Sequence, residues 1–113
     1  MKELTRDMAA QAAQVRPVRL DDDLVTHVRP LPGARLAELV AAMQEEPAAR
    51  NTRLAALCLC DARGKLMFEQ VDPPVLDELA TWPPVWVLKV ADAAMLANGV
   101  YLEPDSPETE PGA

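Results

Sequence analysis

A small single α+β domain is the fold class this sequence predicts, with two antiparallel β-hairpins forming a sheet packed with three to four short helices. Three observations predict it. Apolar residues alternate with polar ones across 18–28, the period of a half-buried strand. They return at helical spacing across 33–46, 73–81 and 84–98. Prolines, glycines and Asp clusters cut the chain between these stretches, so each element is short. A length of 113 residues fits one domain. Half the residues are hydrophobic but only 4% are aromatic, so Leu, Val, Met and Ala must fill most of the core.

Residues 1–14 read as a loosely packed N-terminal helix, with Leu4, Met8 and Ala12 on one face. A first hairpin follows at 15–29. Val18 and Leu20 alternate with Arg19 before the turn, and Leu24, Thr26 and Val28 alternate after it. Asp21, Asp22 and Asp23 supply the turn, because Asp side chains bond their own nearby backbone. Pro17 lacks an N–H and assigns its strand to a sheet edge. Residues 33–46 are the clearest helix: Leu36, Leu39, Val40 and Met43 fall in one arc, with Glu38, Ala41, Ala42 and Glu45 opposite. Pro47 ends it.

Residues 53–69 predict the second hairpin. Leu54, Leu57 and Leu59 lie before Asp61-Ala62-Arg63-Gly64, and Leu66 and Phe68 lie after it. Gly64 suits a turn position with positive φ. A helix running from Ala48 through Cys60 competes, because Ala and Leu favour helix; the turn joining two apolar runs favours the strand. A short helix over 73–81 starts at a proline and turns Val75, Leu76 and Leu79 inward. Pro83-Pro84 opens the last helix, 84–98, which Asn98-Gly99 stops. The domain so defined spans 15–102. Residues 103–113 form an acidic tail, Pro-rich and expected to be disordered.

The net charge is −7. Four of those negatives, Glu103, Asp105, Glu108 and Glu110, belong to the tail. The eleven Lys and Arg residues are scattered, with no basic stripe and no interleaved aromatics, so the pattern argues against nucleic acid. Met1-Lys2 is followed by Glu3, Arg6 and Asp7, which is no secretory leader. No apolar run approaches the ~20 residues of a membrane span. Cys58 and Cys60 are two positions apart, and an extended chain holds such Cβ atoms too far from each other to bridge readily. A reduced, cytoplasmic protein is expected.

Chemistry finds few candidates. His27 is the only histidine and sits inside a strand; Ser106 is the only serine and lies in the tail, so a Ser-based triad has no members to draw on. Cys58 and Cys60 among apolar neighbours read as small buried residues, since a closed zinc site needs four ligands. Asp21–Asp23 lack the glycine and terminal glutamate of an EF-hand loop. With four glycines in the chain there is no phosphate-cradling loop. No catalytic, cofactor-binding or metal residue is expected, and the chain reads as non-enzymatic.

The last helix departs from simple amphipathicity. Leu88, Ala91 and Met95 define one face, while Trp86, Ala93 and Ala97 fall on the other with only Lys89 as a charge there. A helix apolar nearly all round is covered on two sides. In so small a chain another protein is one source of the second cover. Trp82 and Trp86 sharpen that expectation, because tryptophan is enriched at interfaces; packing against the chain's own sheet is the plainer fate. The candidate partner-binding residues are therefore Trp82, Trp86, Lys89, Ala93 and Leu96, with self-association as a further expectation.

The order of motifs carries a resemblance. Asn51-Thr52-Arg53-Leu54, the apolar run to Cys60, Asp61-Ala62-Arg63-Gly64 and Leu66-Met67-Phe68 resemble the signature of tail assembly chaperones of long-tailed phages and prophages. The likeness continues through Val75-Leu76-Asp77-Glu78-Leu79 and closes at Ala94-Met95-Leu96-Ala97-Asn98-Gly99. It covers about 51–99; the segment 18–46 agrees in layout. Ala62, Arg63 and the Trp82-Pro83-Pro84-Val85-Trp86 junction depart from the usual pattern. The resemblance implies a chaperone that binds the tape measure protein and keeps it soluble while tail tube protein subunits polymerise around it, and that is not expected in the mature virion. It implies a longer frameshifted product in many members. A structural minor tail or head–tail joining subunit is the alternative.

Overall fold

The computed structural model describes residues 2–100. Its elements, in chain order, are α1 (Arg6–Ala12), β1 (Arg16–Asp21), β2 (Leu24–Val28), a 3-10 turn (Gly33–Arg35), α2 (Leu36–Met43), α3 (Pro47–Cys58), β3 (Leu59–Cys60), α4 (Pro73–Leu79) and α5 (Pro84–Ala97). The architecture is α+β. The sheet is antiparallel throughout, in the order β1-β2-β3, so β1 is an edge as Pro17 requires. The acidic segment 103–113 lies outside the described residues.

The first hairpin forms, with Val18 opposite Thr26 and Arg16 opposite Val28; Leu24, expected to alternate with Thr26 and Val28, is exposed where the strand meets the turn. Its inner face buries Val18, Leu20 and Val28. A bulge between Arg19 and Asp21 tightens the turn. There Arg19 donates from Nε to the Asp21 carbonyl and from Nη2 to the Asp22 carbonyl, at 3.4 and 3.3 Å.

The second hairpin is the main correction. Residues 47–58 are helical, with Pro47 at the first helical position, and only Leu59 and Cys60 extend into a strand beside His27 and Val28. The physical reason is burial on every side. The run Leu54–Cys60 is buried without a gap, so neither helical nor strand periodicity marks it, and such runs read alike from sequence. The turn itself is as expected. Gly64 N–H donates to the Asp61 carbonyl at 3.0 Å, Asp61 Oδ1 accepts from the Arg63 and Lys65 amides at 2.9 Å each, and Gly64 has φ 89°. A single bridge, Cys60 to Leu66, is what remains of the second strand pair.

Helix α5 lies between the hairpin and α3, which supply its two covers from the same chain. Val87, Val90, Ala91, Ala94, Met95 and Ala97 are buried. Helices α2 and α4 pack on α3. α3 buries Ala55 and Ala56 while α5 buries Ala91 and Ala94, and such small residues let helix backbones approach. α4 is capped by Asp72, whose side chain accepts from Val75 N–H at 3.3 Å. It buries Leu79 and rests Val75 and Leu76 against the core.

Two helices differ from expectation in detail. α2 is rolled about its axis: Ala42 is buried, Leu39 and Met43 are half-buried, and Leu36 and Val40 are exposed. The expected inward arc is displaced by roughly 60°. Arg35 and Glu38, paired at 2.6 Å, face solvent beside it. α1 is shorter than the expected 1–14 helix. Thr5 caps it, its Oγ1 accepting from Met8 N–H at 3.1 Å, and no α1 residue is buried.

Candidate partner-binding surface

Trp82 and Trp86 flank the α4–α5 junction, where Pro83 and Pro84 break one helix and start the next. Both tryptophans are half-buried and packed against the core. Trp82 also meets Phe68 with ring centroids 6.5 Å apart and planes tilted by 41°, a geometry favourable for aromatic pairs. Their outer faces line a groove of about 250 Å³ completed by Leu20, Leu24, Val25, Thr26, Leu59 and Met67. Leu24, Val25 and Met67 are exposed at its rim. On its other side Trp82 borders a second recess, of about 340 Å³, with Ala48, Thr52, Pro84 and Leu88.

The five sequence-derived candidates separate in space. Trp82 and Trp86 share the groove. Lys89 is exposed and reaches back to the sheet, its Nζ donating to the Leu20 carbonyl at 3.2 Å. Ala93 is half-buried against the core. Leu96 is 57% exposed and stands away from the groove on the outer side of α5. The face carrying Trp86, Ala93 and Ala97 is therefore turned mostly toward the chain itself. The open strip of α5 is instead Val85, Leu88 and Leu96, with Lys89 and Asp92 among them.

Sequence reasoning missed Leu24, Val25, Met67, Val85 and Leu88. A signal existed for the first pair: adjacent apolar residues in a two-sided strand cannot both point inward. For Val85 and Leu88 the signal was their place in one arc with Lys89 and Asp92, the only charges of α5, which marks that side as the outward one.

The motif residues prove structural in their placement. Arg53 Nε meets Glu45 Oε2 at 2.6 Å and ties α3 to the end of α2. Asn98 joins three segments. Its Oδ1 accepts from Leu31 N–H at 2.8 Å, and its Nδ2 donates to the Ala94 carbonyl at 2.7 Å and to Cys58 Sγ at 3.5 Å. Gly99, at φ 71°, donates to Leu96 O, and Val100 donates to Met95 O, which closes α5 with a Schellman turn.

Cys58 and Cys60 are free and buried. Burial pushes the Cys58 thiol from the ordinary 9.0 up to about 11, against the smaller opposing effect of the Asn98 hydrogen bond. Burial raises Cys60 as well. The two amide bonds to Asp61 hold its carboxyl below the usual range. His27 is half-buried on β2. Among the described residues no three His, Cys, Asp or Glu side chains gather as metal ligands, and no helix is long and apolar enough to cross a membrane.

The surface therefore has the makings of a protein-docking site: aromatic anchors, an apolar floor and an exposed hydrophobic rim. Comparison with known families, with curated proteins and with solved structures finds no match to this chain.

Proposed function

We propose that this chain is a tail assembly chaperone that captures the phage tape measure protein and keeps it soluble while the tail tube forms. The observation that carries the reading is the Trp82–Trp86 groove, open to solvent and rimmed by Leu24, Val25 and Met67. A long helical client presents an apolar stripe that aggregates when uncovered. Large side chains left over after this domain has packed can cover such a stripe, as in helix-in-groove recognition. The net charge of −7 keeps the resulting complex soluble. The motif order across 51–99 supports the same reading.

Co-expression with the tape measure protein of the same tail gene cluster, followed by pull-down, is the direct test. The wild-type chain retains the client in the soluble fraction. Trp86→Ala weakens capture by about tenfold or more, as expected for an aromatic anchor. Because Trp86 also touches the core, Val25→Glu serves as the companion variant; it sits on the rim, leaves the melting temperature unchanged and still weakens capture. Absence of client enrichment with the wild-type chain overturns the reading. Detection of the chain in purified particles by mass spectrometry points instead to a structural tail or head–tail joining subunit.

A further inference from the structure

A recess of about 470 Å³, larger than either of those beside Trp82, opens between α1, α2 and the end of α5. Ala9, Ala12 and Ala13 line it from α1, Leu36 and Leu39 from α2, and Asn98 from the end of α5; the loop 30–33 completes it. Asn98 is its only polar side chain, and that amide is already engaged by Leu31, Ala94 and Cys58. The recess therefore offers a polar ligand little, and its small α1 residues leave room for bulky apolar side chains. Two features call for such cover. Leu36 is 59% exposed at this site. Helix α1 has seven residues with none buried, too few to hold a helix without packing.

The chain itself arrives at the recess. Asn98 borders it, and the Schellman turn fixes Gly99 and Val100 directly after, with Val100 resting on the core. The described residues stop there. The next two are Tyr101 and Leu102, both large and apolar, whereas only prolines, acids and small residues follow from Glu103 onward. We infer that Tyr101 and Leu102 fold back into this recess and hold α1 against α2. Two residues past Val100 reach about 7 Å, so no long detour is needed. The tyrosine ring suits the apolar walls while its hydroxyl stays at the open mouth, in water. A segment tethered this closely acts at an effective concentration on the order of millimolar or above, which favours it over a free partner. The docking requires this chain alone and does not depend on the proposed client.

Tyr101 is the only tyrosine of the chain, so its ring signals in NMR spectra of the full chain are unambiguous. Nuclear Overhauser contacts are expected from that ring to the Leu36 methyls and to the methyl of Ala9 or Ala13. The double change Tyr101→Ser with Leu102→Ser is expected to speed amide hydrogen exchange across α1 about tenfold, while the amides of β1 and β2 keep their protection. Ring contacts to the Trp82–Trp86 groove instead, contacts only to a second copy in a mixed-label sample, or none at all overturn the docking. So does α1 exchange that is indifferent to the double change.

Discussion

Gly64 shows how one residue can be fixed by two separate demands. Its φ of 89° is reached without strain only by glycine, and an added Cβ would stand 3.1 Å from Val15 Cγ2. Its carbonyl also accepts from Arg29 Nη1 at 2.7 Å, so the turn is fastened to the segment that follows β2. Gly64→Ala should cost about 1–2 kcal/mol from the backbone alone, with a further loss from the crowded Val15; denaturant melts measure it. Cys58 carries a second residue-scale prediction. Its thiol is raised in the folded state from 9.0 to about 11. The unfolded chain therefore releases that proton first as pH rises. The associated stability is present in full below pH 9 and is lost between about pH 9 and pH 11, an effect on the order of 2–3 kcal/mol. Folding stability measured across that alkaline window should fall, and a Cys58→Ala variant should fall less. At neutral pH the native thiol should resist alkylation until the protein unfolds.

Elements tell more about what a sequence can disclose. The first hairpin was legible because alternation survives in Val18, Leu20, Thr26 and Val28; Leu24, read into the same alternation, lies exposed beside the turn, where the bulge and the strand's end remove its cover. α4 and the stop at Asn98-Gly99 were legible because proline, Asp72 and glycine act locally. α3 was not, because a helix turn buried on all sides keeps no period. α2 was legible as a helix but not in its roll, since Leu36 and Leu39 are equally apolar and only tertiary packing chooses between them. The roll makes an element-scale prediction. Leu54, fully buried, should lose about 2–5 kcal/mol on change to Ala. Leu39, half-buried on α2, should lose clearly less in the same urea titration, because part of its side chain already meets water.

At the scale of the whole molecule, the candidate surface was half legible. The two tryptophans were marked by their type, and the structure places both beside one groove, which the sequence did not announce. Its far wall comes from the tip of the first hairpin and from Met67, which lie about 60 and 15 positions from the tryptophans in the chain. No local pattern announces a wall assembled over such distances. Trp82 and Leu96, both chosen as binding candidates, stand at opposite ends of α5, about 20 Å of helix apart, and only Trp82 lines the groove.

The amide of Asn98 has a consequence for how the protein comes into being. Leu31 N–H finds its acceptor 67 positions downstream, and the Leu20 carbonyl finds Lys89 69 positions downstream. The hairpin made early in translation therefore lacks its cover until α5 has left the ribosome. Folding must wait for nearly the whole domain to be synthesised, and until then the nascent hairpin and α3 stand without the apolar cover that α5 brings.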